Sequence, residues 1–134
     1  MAERPARGLL DTSVIIEFEA IPAERLPERV AVSAVTLAEL AAGPAATHDP
    51  DERARRQDRL QRTEAAFDPL PFDAATARAY GRVYAAIVAH GRQPRRRLAD
   101  LLIASAALAE RLPLVTRNAD DFAGLGELIE VIEV

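Results

Sequence analysis

Three observations predict an α/β fold with a mostly parallel sheet and helices on both faces. Short apolar runs bounded by turn residues alternate along the chain with longer segments of helical spacing, the pattern of repeated strand–helix units. Hydrophobic residues make up 49% of the 134, enough for one real core, while aromatics are only 4%, so Leu, Val, Ile and Ala must build it. No repeat, low-complexity stretch or composition shift divides the chain, which predicts a single domain over residues 1–134.

The elements follow in order. Residues 8–11, Gly-Leu-Leu-Asp, read as a short buried strand. Residues 12–19 carry Val14, Ile15 and Phe18 at helical spacing. Pro22 and Pro27 punctuate a loop, and residues 30–33 form a second strand. A helix over 34–42 is stopped by Gly43-Pro44, and a loop over 47–50 leads into a charged helix over 51–66. Residues 68–72 are expected as a short strand interrupted by prolines. Asp73 caps a long helix that runs to about His90, with Ala77, Tyr80, Tyr84, Ile87 and Val88 on its apolar side, and Gly91 ends it. Residues 92–97 form a basic loop. The segment 98–112 is apolar almost all round, which marks a central, buried helix. Residues 114–116 are a strand, 119–122 a short helical turn, and 128–134 a terminal edge strand.

Composition removes several chemistries. There is no cysteine, so disulfides and thiolate metal sites are excluded. All 17 basic residues are arginine, so there is no P-loop lysine, no Schiff base and no lysine of a phospho-aspartate receiver. The net charge of −4 and a pI near 5.2 are not the whole-surface basic field of a simple nucleic-acid binder. A polyanion would need a local basic patch. No apolar run approaches the roughly 20 residues of a membrane span, and no apolar stretch of a secretory leader follows residues 1–7. A cytoplasmic protein is expected.

The acids carry the functional signal. Asp11 ends the first strand, where it could simply cap the next helix. Glu39 sits in an otherwise small and apolar helix. Asp100 is the one charged side chain between residues 98 and 109. It suits the helix dipole there, but a buried carboxylate also needs something positive to face it. Asn118, Asp120 and Asp121 follow the strand that Thr116 ends, in positions that turn chemistry alone would explain. Each residue has a structural reading on its own. In a parallel sheet, however, Asp11 and the 116–121 loop lie at carboxyl ends of strands, and Glu39 and Asp100 near the same edge. Carboxylates gathered this way raise one another's pKa unless a cation intervenes. An oxygen-only site selects hard ions such as Mg²⁺ or Mn²⁺. His48 and His90 read as surface residues.

The motifs LLDTSVII, AVTLAEL, LADLLIASAA and LVTRNADDF, in this order and spacing, resemble the PIN domain, and more narrowly the VapC toxins of bacterial toxin–antitoxin pairs. The resemblance implies a PIN-like three-layer sandwich, with a central mostly parallel sheet flanked by helices. It implies metal-dependent endoribonuclease cleavage of RNA with Mg²⁺ or Mn²⁺, a VapB-like antitoxin partner and a homodimer. By resemblance the catalytic and metal-binding acids fall on Asp11, Glu39, Asp100 and Asp121. Ser13 and Thr116 resemble hydroxyl supports, and Asn118 stands where many members carry Asp. Arg95, Arg96 and Arg97 are candidates to bind RNA phosphates, with Arg92 in the same basic run. The arginines of 51–66 read instead as surface ion pairs, and Tyr80 and Tyr84 as core or dimer interface. Two alternatives remain. One is a PIN nuclease of RNA processing, outside any toxin–antitoxin pair. The other is a degenerate PIN scaffold that only binds RNA or protein.

Overall fold

A computed structural model describes residues 4–134; the first residues of the segment in which no leader was expected, 1–3, lie outside the described residues. Four strands, β1 (Arg7–Leu10), β2 (Arg29–Ala31), β3 (Leu114–Thr116) and β4 (Val131–Glu133), form one sheet in the order β2-β1-β3-β4. All three pairings are parallel, so the sheet is wholly rather than mostly parallel. Among the described residues five helices flank it: α1 (Thr12–Ile16), α2 (Ala34–Ala42), α3 (Pro50–Ala66), α4 (Ala74–Ala89) and α5 (Leu98–Glu110).

The sheet has a core on each face because strand side chains alternate. Leu9 and Leu114 face one core, with Val83 and Ile87 of α4 and Leu101 and Ile103 of α5. Leu10 and Val115 face the other, with Val14 and Ile15 of α1 and Leu40 of α2; Leu60 of α3 packs against its edge. This is the three-layer arrangement. Side-chain caps fix the starts of α2 and α4. Ser33 accepts from the Thr36 amide at 3.2 Å, and Asp73 accepts from the amide and hydroxyl of Thr76 at 2.9 and 3.0 Å. From Leu101 to Ala107 α5 is buried nearly all round, as its sequence predicts. No helix among the described residues is long and apolar enough to cross a membrane.

Several elements differ from the sequence reading. The first helix stops at Ile16, and residues Phe18–Ala20 form a separate 3-10 turn. The strand expected over 68–72 shrinks to one bridge between Leu70 and Ser33, because Pro69 and Pro71 offer no backbone N–H to extend a ladder. The basic loop contains a 3-10 turn, Pro94–Arg97, that runs directly into α5. The terminal strand spans only Val131–Glu133, at the expected sheet edge. On α4 the inward face is Thr76, Ala79, Val83 and Ile87, with Tyr80 half-buried; Ala77, Tyr84 and Val88 are exposed. Two apolar stripes lie about one residue apart, and the narrower one, small at Thr76 and Ala79, lets α4 lie close along α5.

The chain crosses from β1 to β2 on one side and continues through β3 and β4 on the other, so the strand order reverses between β1 and β3. In open parallel sheets this reversal leaves a crevice at the carboxyl ends of the strands. Asp11 follows β1 and Thr116 ends β3, which puts both at that crevice.

Candidate active site

Asp11 is not a helix cap. It stands at the N-cap position of α1, but its side chain accepts no capping bond from the backbone amides of the first turn, and it is only 3% exposed. Its Oδ2 accepts instead from the hydroxyls of Ser13 and Thr116, each at 2.8 Å. The orientation of both hydroxyls is fixed from behind. The Arg117 amide donates to Ser13 Oγ at 3.1 Å, and the Asn118 amide to Thr116 Oγ1 at 3.0 Å. A hydroxyl has one hydrogen, and with backbone amides on their lone pairs both hydroxyls turn that hydrogen to Asp11. The carboxylate is thereby held in one orientation, with its backbone N–H tied to the Val115 carbonyl at 2.8 Å.

Glu39 is solvent-exposed as a residue, yet its carboxylate is held. Thr12 donates to Glu39 Oε1 at 2.7 Å, and Thr36 lies 3.0 Å from the Thr12 hydroxyl. An ionised carboxylate only accepts, so Thr12 donates forward to Glu39 and Thr36 donates to Thr12. The sequence reading did not single out Thr12. Its position directly after Asp11, in the first turn of α1, was the available signal.

Asp100 stands in the first turn of α5, its side chain 26% exposed. Burial, followed by the charges of Asp11, Asp121 and Glu39, pushes its carboxyl up to about 6; Arg97 pulls the other way. Three acids from other segments of the chain thus bear on Asp100 at the end of the sheet. The positive group expected to face Asp100 is Arg97. Its guanidinium lies 3.9 Å from Asp100 Oδ2 and contacts Asp121 Oδ1 directly.

The other candidates are placed as follows. Arg97, expected to reach RNA phosphate, is turned into the acid cluster. Arg95 and Arg96 are exposed, and their side chains make no hydrogen bond or ion pair among the described residues. Arg92 donates to the carbonyls of Asp120 and Ala123, at 3.0 and 3.4 Å, and so clamps the turn that carries Asp121. Asn118 is exposed and engages the site through its backbone, and Asp120 faces solvent. His48 and His90 are exposed, and on α3 Arg55 and Arg56 pair with Glu52, and Arg62 with Asp58. Among the described residues no three acids come together closely enough to grip one ion.

A family model described as the PIN domain matches residues 8–128. The chain belongs to the PIN domain family. This PIN domain is 40% identical to Ribonuclease VapC5 of Mycobacterium tuberculosis, over the whole length of both chains. It is 41% identical to Ribonuclease VapC8 of the same organism over 101 residues, 75% of this chain and 89% of that one. Among solved structures it is similar to VapBC-5, a member of the VapBC family of toxin–antitoxin systems from Mycobacterium tuberculosis. That likeness has a TM-score of 0.82 at 40% identity and covers 97% of this PIN domain and 100% of the other chain.

Proposed function

We propose that this PIN domain is a VapC-type endoribonuclease toxin of a type II toxin–antitoxin system, hydrolysing RNA phosphodiester bonds with Mg²⁺ or Mn²⁺ and neutralised by a VapB-like antitoxin. The reading is supported by the placement of Asp11 at the switch point of the sheet, with Asp121, Glu39 and Asp11 all near enough to bear on Asp100, in a chain similar end to end to a ribonuclease VapC.

The donor set fits a hard divalent ion. It is all oxygen, with no sulfur or imidazole, and burial together with the neighbouring acids raises the Asp100 carboxyl to about 6. Asp11, Glu39, Asp100 and Asp121 would hold the ion. When bound, it would supply Lewis-acid neutralisation of charge on the phosphate. The chain's own residues do the rest. Ser13 and Thr116 aim Asp11, and Thr12 with Thr36 aims Glu39. Asp100 is the acid whose proton occupancy changes near neutral pH, so ion binding and proton release are linked at its carboxyl. Arg95 and Arg96, free of partners among the described residues, would bind phosphates flanking the cut.

A protein partner is supported by a second feature. A cleft of about 650 Å³ lies between α1, the 3-10 turn after it and α3. Ile15, Ile16, Phe18 and Phe67 give it an apolar floor, and Ile16 and Phe18 remain 49% and 45% exposed. An antitoxin segment with an apolar face would cover them.

The test is cleavage of a pool of structured RNAs by purified, antitoxin-free protein with Mg²⁺, with Mn²⁺ and with EDTA, beside Asp11→Ala and Asp100→Ala. Metal-dependent cuts lost in both variants are expected. They should persist on a substrate lacking the 2′-hydroxyl at the cut, since the attacking group is water. Equal activity in the variants, or in EDTA, would refute the reading.

A further inference from the structure

Arg97 is in a place that local helix chemistry disfavours. It occupies the N-cap position of α5, where Ser, Thr, Asp or Asn would accept from the first-turn amides, and it makes no such capping bond. Its positive charge also sits at the positive end of the helix dipole. What it gains is contact with two acids. Asp100, three residues on, lies on the same side of the first turn, and Asp121 arrives on a separate turn, Ala119–Phe122. One guanidinium therefore joins carboxylates from two elements. Its side chain remains 45% exposed, so it can leave without unpacking the core.

We propose that Arg97 is a resident counter-cation of the acid cluster, which holds Asp100 and Asp121 when no divalent ion is present and competes with that ion for them. The proposal rests on the reading that these acids bind a metal. It accounts for the separation of the acids: with Asp121 turned to Arg97 and Glu39 to Thr12, no three of them converge among the described residues. A guanidinium cannot give up its proton at working pH, so the two cations exclude each other by charge. Arg95, two residues earlier and exposed, carries the same charge without touching an acid, which makes it the control for net charge alone.

The test is a calorimetric titration of antitoxin-free protein with Mn²⁺ at low ionic strength. Wild type, Arg97→Ala, Arg97→Gln and Arg95→Ala are compared, with circular dichroism to establish folding. Arg97→Gln keeps the side chain's length should the alanine variant fail to fold. Removing the charge at position 97 should tighten Mn²⁺ binding by about tenfold, and removing it at position 95 by less than about twofold. Unchanged or weaker binding in the folded position-97 variants overturns the proposal while the metal reading stands. Equal tightening in Arg95→Ala overturns it too, because bulk charge would then suffice. If no variant and no wild-type protein binds Mn²⁺, the metal reading itself fails and Arg97 has nothing to compete with.

Discussion

Replacing Thr116 with Val keeps the shape of a fully buried side chain and removes one hydroxyl. That hydroxyl donates to Asp11 Oδ2 at 2.8 Å and accepts from the Asn118 amide at 3.0 Å. A hydrogen bond to a charged group contributes about 1.5–3 kcal/mol. Asp11 keeps Ser13 as its other donor, and the Asn118 amide lies near solvent, so the expected loss is about 2 kcal/mol. With a urea slope near 2 kcal/mol/M, the unfolding midpoint should fall by about 1 M. The assay is urea denaturation in EDTA, followed by fluorescence or circular dichroism. Ser13→Ala and the double variant complete a cycle. Both hydroxyls serve the same oxygen, so their losses should be non-additive by at least about 0.5 kcal/mol. A midpoint within about 0.2 M of wild type, with additive losses, would refute the claim that these hydroxyls hold Asp11 in place.

Asp100 has a pH signature of definite sign. Its folded carboxyl, at about 6, holds a proton that the unfolded chain releases near 3.8, so the metal-free protein should lose stability as pH rises from about 4 to about 6. The shift corresponds to at most about 3 kcal/mol, and to roughly half of that for a partly solvated side chain. Asp100→Asn should therefore be about 1–2 kcal/mol more stable than wild type at pH 7.5 in EDTA, and equal to it near pH 4. Thermal melts across that range check this, and a less stable variant at pH 7.5 would contradict it. Gly8→Ala tests the packing of β1. A Cβ there would stand 2.7 Å from Pro27 Cγ and 2.9 Å from Val115 Cγ2. The overpacking should cost about 1–3 kcal/mol in denaturant melts, whereas a neutral outcome would mean that Pro27 yields easily.

The parts of this fold that were legible in the sequence are those fixed by local chemistry. Asp73 and the Gly43-Pro44 pair mark helix ends through a cap and a breaker, and those helices begin or end where expected. The almost wholly apolar circumference of α5 announced its burial. The misreadings arise where tertiary contact decides. Nothing local on α4 distinguishes the stripe of Thr76, Ala79 and Val83 from that of Ala77, Tyr84 and Val88; only the proximity of α5 does. At the site, the acids were visible because carboxylates in apolar surroundings need a reason. The Arg117 amide behind Ser13, the Thr116–Asp11 bond and the Thr12–Glu39 contact could not be read from local chemistry, because they join residues from separate segments. Arg97 looked like its neighbours Arg95 and Arg96 because a run of identical charges does not say which one turns inward.

The sequence distance across the Asp11 clamp has a consequence during synthesis. Thr116 reaches Asp11 across 105 positions, and the Arg117 amide reaches Ser13 across 104. Asp100 and Asp121 also belong to the final third of the chain. While a ribosome is still making this polypeptide, Asp11 has no second hydroxyl to hold it, and β1 lacks the strand that flanks the crevice. The acid cluster can assemble only when nearly the whole chain has emerged. A nascent chain that stops before Thr116 thus lacks one of the two hydroxyls that hold Asp11, and one that stops before Asp121 lacks the last of the four acids.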